Sequence, residues 1–151
     1  VYNYINSKEA FLEGYLFDII DSFTIYLNQI LESSHSPKDK LKYVVSKHVQ
    51  FTIQEPYQVA LFVYDWRNLQ EPKLSDFKQK RVNYLKKIGS IIEEGMQVGE
   101  FRDMNVEIAT YLFFSSLRWL FNILMEDDKQ HNPIELEKQL TDFIFCGMGR
   151  N

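Results

Sequence analysis

The stretch SKEAFLEGYLFDIIDSFTIYLNQILE, residues 7–32, carries the pattern that decides the fold class. Its apolar residues recur at spacings of three and four, which places them on one face of a helix with 3.6 residues per turn. The members of this stripe are Leu12, Tyr15, Leu16, Ile19, Phe23, Leu27, Ile30 and Leu31. Ser7 is typical of an N-cap, because its hydroxyl can accept a hydrogen bond from an amide of the first turn. The pattern therefore predicts a long amphipathic helix that begins at Ser7.

Start and stop signals divide the remaining sequence into five further helices. Ser36 is expected to cap a helix whose first position is Pro37 and which runs to about Gln54. The other four are predicted to begin at Pro56, at Pro72 (with Gly99 as the end signal), after Asn105 and after Asn132 with Pro133. Strand-like alternation is not sustained anywhere, and short loops favour antiparallel neighbours. We therefore expect an all-α fold, an antiparallel bundle of about six helices.

The bulk properties fit one domain and limit what it can do. The chain has 151 residues, a net charge of −4 and an isoelectric point near 5.4. This acidic balance argues against nucleic-acid binding by this part of the protein, because phosphate contacts need clustered Lys and Arg. Cys146 is the only cysteine, so no intramolecular disulfide can form, which fits a reducing compartment. We expect a cytoplasmic protein.

The most apolar run is VEIATYLFFSSLRWLFNILM, residues 106–125, which is long enough to cross a bilayer. It contains Arg118, which alone would cost ~2.5–3.5 kcal/mol near the centre of a membrane helix. We therefore expect burial in protein and no membrane partner. Since apolar residues lie on two of its sides, the helix needs two neighbours, and a second copy of the chain would supply one in a twofold dimer. The predicted dimer interface comprises Leu117, Leu120, Phe121, Leu124, Leu140, Phe143, Ile144 and Gly147.

Aromatic residues make up 15% of the sequence, which indicates either a bulky core or a lined cavity. The candidate group is Phe51, Phe62, Tyr64, Trp66, Tyr84, Phe113 and Phe114. His48, Asp65 and Arg118 stand among apolar neighbours, and buried polar groups need partners. His48 can be a satisfied core histidine, and Asp65 and Arg118 can pair with each other or face solvent. They are also the candidates for orienting a ligand in the cavity.

Signals of catalysis are absent from the sequence. His35, His48 and His131 have no cysteine or acidic residue at metal-ligand spacing. No Ser/His/Asp arrangement, phosphate loop or paired-carboxylate motif is present. Cys146 has no neighbouring base, which favours an inert buried thiol. We expect no catalytic residue, no metal and no cofactor.

Three short stretches resemble the tetracycline-repressor (TetR) family of transcriptional regulators. VYNYINSKEAF, residues 1–11, is similar to the join between the family's DNA-binding domain and its core, although Asn3 and Ile5 replace the usual aromatic residues. IIEEGMQVGEFRDMNVEIATYLFFSSLRWL, residues 91–120, is similar to the stretch between the two halves of that core. LTDFIFCGM, residues 140–148, is similar to the family's closing segment. Residues 33–90 carry no family motif.

The resemblance implies that residues 1–6 end the recognition helix of a missing N-terminal helix-turn-helix domain, and that residues 7–151 form the ligand-binding and dimerisation domain. Tyr2, Tyr4 and Lys8 would contact the DNA backbone. The alternative is that Tyr2 and Tyr4 pack the two domains together and that Lys8 is solvated. The implied partners are a second copy of the chain, operator DNA through the missing domain, and a small apolar or aromatic effector. The implied function is a ligand-responsive repressor and not an enzyme. The alternative is a helical lipid or isoprenoid carrier of the same fold with no DNA role.

Overall fold

The computed structural model describes residues 2–126 and 131–150, with side chains described at residues 8–120, 122, 123 and 131–150. The helices are α1 (Tyr2–Glu32), α2 (Pro37–Gln54), α3 (Pro56–Ala60), α4 (Lys73–Gln97), α5 (Val106–Glu126) and α6 (Pro133–Met148). Extended pairing in these residues is limited to one antiparallel bridge between Phe101 and Gly149. The all-α prediction of six helices is confirmed.

Three of the predicted helix starts are confirmed in atomic detail. The Ser36 hydroxyl accepts a hydrogen bond from the Asp39 amide at 3.2 Å. The side chain of Asn105 accepts from the Ile108 amide at 3.0 Å, and that of Asn132 accepts from the Ile134 amide at 2.9 Å. Each cap satisfies an amide that has no partner inside its own helix.

The start predicted at Ser7 is wrong. Helix α1 begins at Tyr2 and runs through Ser7 without a break, so Ser7 is an interior helical residue. Ser7 has the residue type of a cap, but a cap forms only where the backbone leaves the helical region, and here it does not. The result is a helix of 31 residues, about 46 Å long at 1.5 Å per residue.

The short helix predicted from Pro56 onward is a composite of three helix types. Helix α3 ends at Ala60, a π-helical turn follows over Leu61–Asp65, and a 3₁₀ turn follows over Trp66–Asn68. A π turn is wider than an α turn and a 3₁₀ turn is narrower, so the side chains here leave the regular helical stripe. The α-helical spacing of apolar residues therefore could not predict which way these side chains face.

The core forms where α4 packs against α1, α2 and α5. On α1 the predicted stripe contributes Leu16, Ile19, Phe23, Leu27 and Ile30 as buried residues, whereas Tyr15 stays exposed. Polar contacts also tie α4 to its neighbours. Lys80 Nζ lies 2.7 Å from Asp21 Oδ1 of α1, and Lys40 Nζ of α2 lies 3.7 Å from Glu94 Oε2. These contacts fix α1, α2, α4 and α5, the four long helices that frame the site.

The connection between α4 and α5 is locked to the end of α6. Gly99 adopts a φ of +82°, a conformation that favours glycine. Phe101 is 1% exposed and stacks on Phe145 with ring centres 6.2 Å apart. Its ring fills the space beside Gly95, where an added Cβ would lie 2.2 Å from Phe101 Cδ2. Arg102 donates from its side chain to the Gly147 carbonyl at 2.7 Å and from its amide to the Met148 carbonyl at 2.9 Å.

The dimer interface predicted on α5 and α6 needs correction. Leu117, Leu120 and Ile144 are 4%, 1% and 6% exposed and belong to the core of the chain itself. All three side chains are buried within the chain itself, so they offer almost no surface to a second copy. Phe143 and Gly147 are exposed and Leu140 is half-buried. Phe121 and Leu124 lie outside the residues whose side chains are described.

The exposed side of α5 carries the apolar residues that the core does not use. They are Ile108, Tyr111, Leu112 and Trp119. Leu112 is the most exposed of the four, at 64%. Cys146 of α6, predicted to be buried, is also exposed. Among the described residues, no helix is long and apolar enough to span a membrane.

Candidate functional site

A cavity of about 300 Å³ lies between α1, α2, α4, α5 and the composite segment that follows Pro56. Its size falls at the lower end of the range for small-molecule sites, roughly 300–1,000 Å³. The lining residues are Ile19, Ile20, Phe23, His48, Phe51, Thr52, Val59, Phe62, Val63, Trp66, Arg67, Arg81, Tyr84, Leu85, Tyr111, Phe114, Ser115, Leu117 and Arg118. Aliphatic and aromatic side chains dominate, and the charged lining residues are all arginines.

An aromatic cluster around Phe23 forms one wall of this cavity. The Phe23 ring centre lies 4.8 Å from that of His48, 5.1 Å from that of Phe51 and 6.4 Å from that of Tyr84. Phe114 lies 5.6 Å from Tyr84 and 6.0 Å from His48. Most of these pairs meet edge to face, which is a favoured arrangement for aromatic rings.

Seven of the ten candidate pocket residues from the sequence line the cavity, and three do not. Those that do are His48, Phe51, Phe62, Trp66, Tyr84, Phe114 and Arg118. Phe113 is buried behind Phe114, and Tyr64 bonds Asn122 through its hydroxyl at 3.4 Å. Asp65 is half-buried away from the cavity. No ion pair joins Asp65 to Arg118 in the described part of the chain, so the pairing considered for them is not formed.

His48 and Tyr84 supply a neutral polar contact inside the aromatic wall. His48 Nε2 lies 3.1 Å from the Tyr84 hydroxyl. Burial, with a smaller contribution from the charge of Lys47, lowers the pKa of His48 to about 4, so the imidazole is neutral at pH 7. Burial also raises the pKa of Tyr84, so its hydroxyl stays protonated. The pair can offer hydrogen bonds to a ligand without adding charge.

Three arginines line the same cavity from three different elements. Arg67 belongs to the 3₁₀ turn, Arg81 to α4 and Arg118 to α5. The guanidinium carbons of Arg67 and Arg81 both lie 4.5 Å from the centre of the Trp66 ring. Burial and the charges of Arg67 and Arg118 lower the pKa of Arg81. The cavity thus combines an aromatic wall with a cationic rim.

The sequence pointed only partly to these residues. Phe23 and Arg81 stood on the inner stripes of their helices, at spacings of three and four from other core residues, but the cavity candidates omitted them. Arg67 could not be found by periodicity, because it follows the π turn and belongs to a 3₁₀ turn. Its stacking on Trp66 is a tertiary contact with no signal in the local sequence.

Two hydroxyls that line the cavity are bonded within their own helices. The hydroxyl of Thr52 donates to the His48 carbonyl at 2.7 Å, and that of Ser115 donates to the Tyr111 carbonyl at 2.8 Å. Both hydroxyls are therefore held by their own helices rather than by a general base. No carboxylate stands among the described residues that line the cavity. No group of three or more potential metal ligands occurs in the part of the chain that the structure describes.

The predicted DNA-contact residues lie at the start of α1, away from this cavity. Lys8 is exposed on that helix. The side chains of Tyr2 and Tyr4 lie outside the described residues. Contact of these three residues with DNA stays a prediction.

Comparison with known proteins places the fold in a family. A family model described as "Tetracyclin repressor-like, C-terminal domain" matches residues 34–123. The HTH-type transcriptional repressor KstR2 of Mycolicibacterium smegmatis is 27% identical over 122 residues, which are 80% of this chain and 59% of the repressor. The chain thus spans less than two thirds of that relative's length.

Solved structures agree with this fold. The ketosteroid transcriptional regulator KstR2 of Mycobacterium tuberculosis has a TM-score of 0.87 at 16% identity, covering 99% of this chain and 77% of that one. The structure of AibR in complex with isovaleryl coenzyme A and operator DNA has a TM-score of 0.77 at 15% identity, covering 98% and 78%. At these identities the likeness establishes the architecture.

Proposed function

The chain belongs to the family of tetracyclin repressor-like C-terminal domains, and from this premise we propose that it is the effector-binding and dimerisation part of a ligand-responsive transcriptional repressor. Its partners are a small apolar or aromatic effector, a second copy of the chain, and operator DNA, which a helix-turn-helix domain of the same protein contacts. It works in the cytoplasm, where it meets the DNA.

The observation that carries this proposal is the cavity of about 300 Å³ with its aromatic wall. Large rings packed edge to face leave space that a flat or aliphatic molecule can fill. The neutral contact between His48 and Tyr84 supplies the polar group that orients such a molecule. AibR, a relative of the same architecture, is described with both an acyl coenzyme A ligand and operator DNA. One fold of this kind therefore accommodates both partners.

Helix α1 is the element through which the effector acts. Ile19, Ile20 and Phe23 of α1 line the cavity, while the helix continues to Tyr2. An effector that fits one tilt of α1 better than another shifts the equilibrium by its difference in affinity. In a dimer, that tilt changes the separation of two DNA-binding domains, which must match half-sites about one helical turn apart.

Family membership favours a regulator over the lipid carrier that the sequence left open. The family consists of transcriptional regulators rather than enzymes. The hydroxyls of Thr52 and Ser115 are bonded to their own helices, which supports binding without turnover. We therefore propose no catalytic role for the lining residues.

The test asks whether a compound that binds in the cavity also changes the protein's binding to DNA. The protein is expressed from its gene's own start codon and used to select binding sites from random-sequence DNA, and apolar compounds are screened by thermal shift. A compound present at 100 times its Kd should raise Tm by about 5–10 °C and should release the selected DNA.

Val63→Trp, which fills the cavity, should abolish both the thermal shift and the release while leaving DNA binding intact. Val82→Trp, on the exposed side of α4, is the matched control and should behave like the parent protein. Ligand binding without any selected DNA site would favour the carrier. A compound that acts equally on Val63→Trp and the parent would show that the cavity is not the effector site.

A further inference from the structure

The charge distribution at the cavity is unusual for an acidic chain. The protein carries 21 Asp and Glu residues against 17 Lys and Arg residues. Yet the charged residues that line the cavity are Arg67, Arg81 and Arg118, and no described carboxylate stands beside them. The chain has enough carboxylates for one of them to pair with an arginine of the cavity. The cavity instead keeps three like charges together.

These three arginines have no ion pair within the described residues. The salt bridges found there join Lys40 to Glu94, Lys73 to Glu13 and Lys80 to Asp21. Asp65 is the acidic residue nearest to Arg67 in sequence and pairs with none of the three. Unneutralised like charges at a concave surface raise the local potential and attract an anion.

The stack on Trp66 organises two of the three guanidinium groups. Arg67 and Arg81 approach the indole within 4.5 Å of its centre, which limits the orientations of their planes. A guanidinium held in one plane loses less entropy when it donates two parallel hydrogen bonds to an oxyanion. Stacking therefore leaves the N–H donors available while it fixes where they point.

The two ends of the cavity differ in polarity. Arg67 and Arg118 are exposed and Arg81 is half-buried, so the cationic group lies toward solvent. The group around Phe23, His48 and Phe114 is mainly aromatic and carries no charge at neutral pH. A molecule that suits both ends has an apolar body and a negatively charged head.

We propose that the effector is an amphipathic anion whose carboxylate or phosphate group is bound by Arg67, Arg81 and Arg118, while its apolar part lies against the aromatic wall. This inference rests on the proposed function, since it names the chemical class of that effector. A neutral or cationic apolar compound of the same size binds more weakly.

The first test compares two fluorescent probes that differ by one anionic group. They are 8-anilinonaphthalene-1-sulfonate and the neutral N-phenyl-1-naphthylamine. The fluorescence that Val63→Trp removes defines binding in the cavity. The sulfonate should bind at least about tenfold more tightly than the neutral probe, because hydrogen bonds between charged groups are stronger than those between neutral groups.

Replacing two of the arginines should remove this preference. The double variant R67M/R118M replaces each arginine stem by an unbranched apolar side chain and loses two charges at exposed positions, so it should fold, which circular dichroism checks. It should weaken sulfonate binding at least about tenfold and change binding of the neutral probe by less than about twofold. K78M removes one exposed charge of α4 away from the cavity and should change neither.

A second experiment distinguishes the two head groups by displacement of the bound sulfonate with octanoate, octyl phosphate and octanol. Displacement by either or both of the anions, but not by octanol at equal concentration, supports the proposal and identifies the head group. Equal displacement by octanol would contradict the proposal that the effector is an anion. An unchanged preference of R67M/R118M for the sulfonate over the neutral probe would contradict it too. Either result leaves the apolar cavity as the effector site. Cavity fluorescence that Val63→Trp does not remove overturns the cavity itself, and the proposed function with it.

Discussion

The imidazole of His48 and the hydroxyl of Tyr84 meet at 3.1 Å inside a wall of aromatic rings, joining α2 to α4. Because burial lowers the pKa of His48 to about 4 from an ordinary value of 6.5, folding disfavours the protonated ring. Between these two values the unfolded chain binds a proton that the folded chain does not. The free energy of unfolding should therefore fall as pH falls from 6.5 to 4.

We expect this loss to reach at most about 3 kcal/mol, since one pKa unit corresponds to about 1.36 kcal/mol and the cavity is open to water. Urea unfolding at pH 7 and pH 4.5 measures it. In His48→Gln the change between the two pH values should shrink, whereas His35→Gln, at an exposed position, should leave it intact. Equal pH dependence in the parent and His48→Gln would contradict the assignment.

Gly95 and Gly14 offer a matched pair of glycine substitutions within helices. Gly95→Ala places a methyl group 2.2 Å from Phe101, which is 1% exposed and cannot move aside freely. We expect a loss of about 1–3 kcal/mol in the free energy of unfolding. Gly14→Ala meets nothing within 4 Å and should stabilise the chain by about 0.4–1 kcal/mol through helix propensity. Denaturant titration of both variants measures these changes. An unchanged free energy of unfolding in Gly95→Ala would show that the Phe101 side chain can move aside.

Substitutions at buried and at exposed residues of α5 and α6 distinguish effects on folding from effects on dimer formation. Leu120→Glu buries a charge in the core and should unfold the chain rather than split a dimer. Leu112→Glu and Phe143→Glu change residues that are 64% and 77% exposed and should leave circular dichroism unchanged. If these faces form the dimer, both variants should halve the mass measured by light scattering. A folded Leu120→Glu dimer would contradict this placement of the core.

The cap of α6 should contribute measurably to stability. Asn132 accepts hydrogen bonds from the amides of Ile134 and Glu135. Asn132→Ala should lower the free energy of unfolding by about 1 kcal/mol, whereas Asn132→Asp should retain most of it. Thermal denaturation compares the two. Equal losses would indicate that the helix start is held by tertiary packing instead.

Features that depend on residues within a single helix could be predicted from the sequence, whereas features that depend on packing between helices could not. The cap at Asn132 and the stripe on α1 were predictable, because each follows from residues within a few turns. The burial of Leu120 was not predicted as core packing, since α5 is apolar on two sides and spacing does not say which side meets α2 and α4.

The site was predictable only in its aromatic part. Phe51, Tyr84 and Phe114 follow from composition and helical phase. The approach of Arg67 and Arg81 to Trp66 depends on a π turn and a 3₁₀ turn, where the helical period fails. At Ser7 the sequence predicted a feature that the structure lacks, since this residue is suited to a cap but lies inside a continuous helix.

The lock between Gly95, Phe101 and Arg102 has a consequence for how such a protein can evolve. These residues belong to the stretch that resembles the family, and their contacts run to Phe145 and Gly147 rather than to the cavity. Most of the cavity's polar groups come instead from residues that precede this stretch, namely His48, Thr52, Trp66, Arg67, Arg81 and Tyr84. Substitutions that alter effector choice can therefore accumulate in one region without loosening the other. A lineage can acquire a new inducer while it inherits its scaffold unchanged.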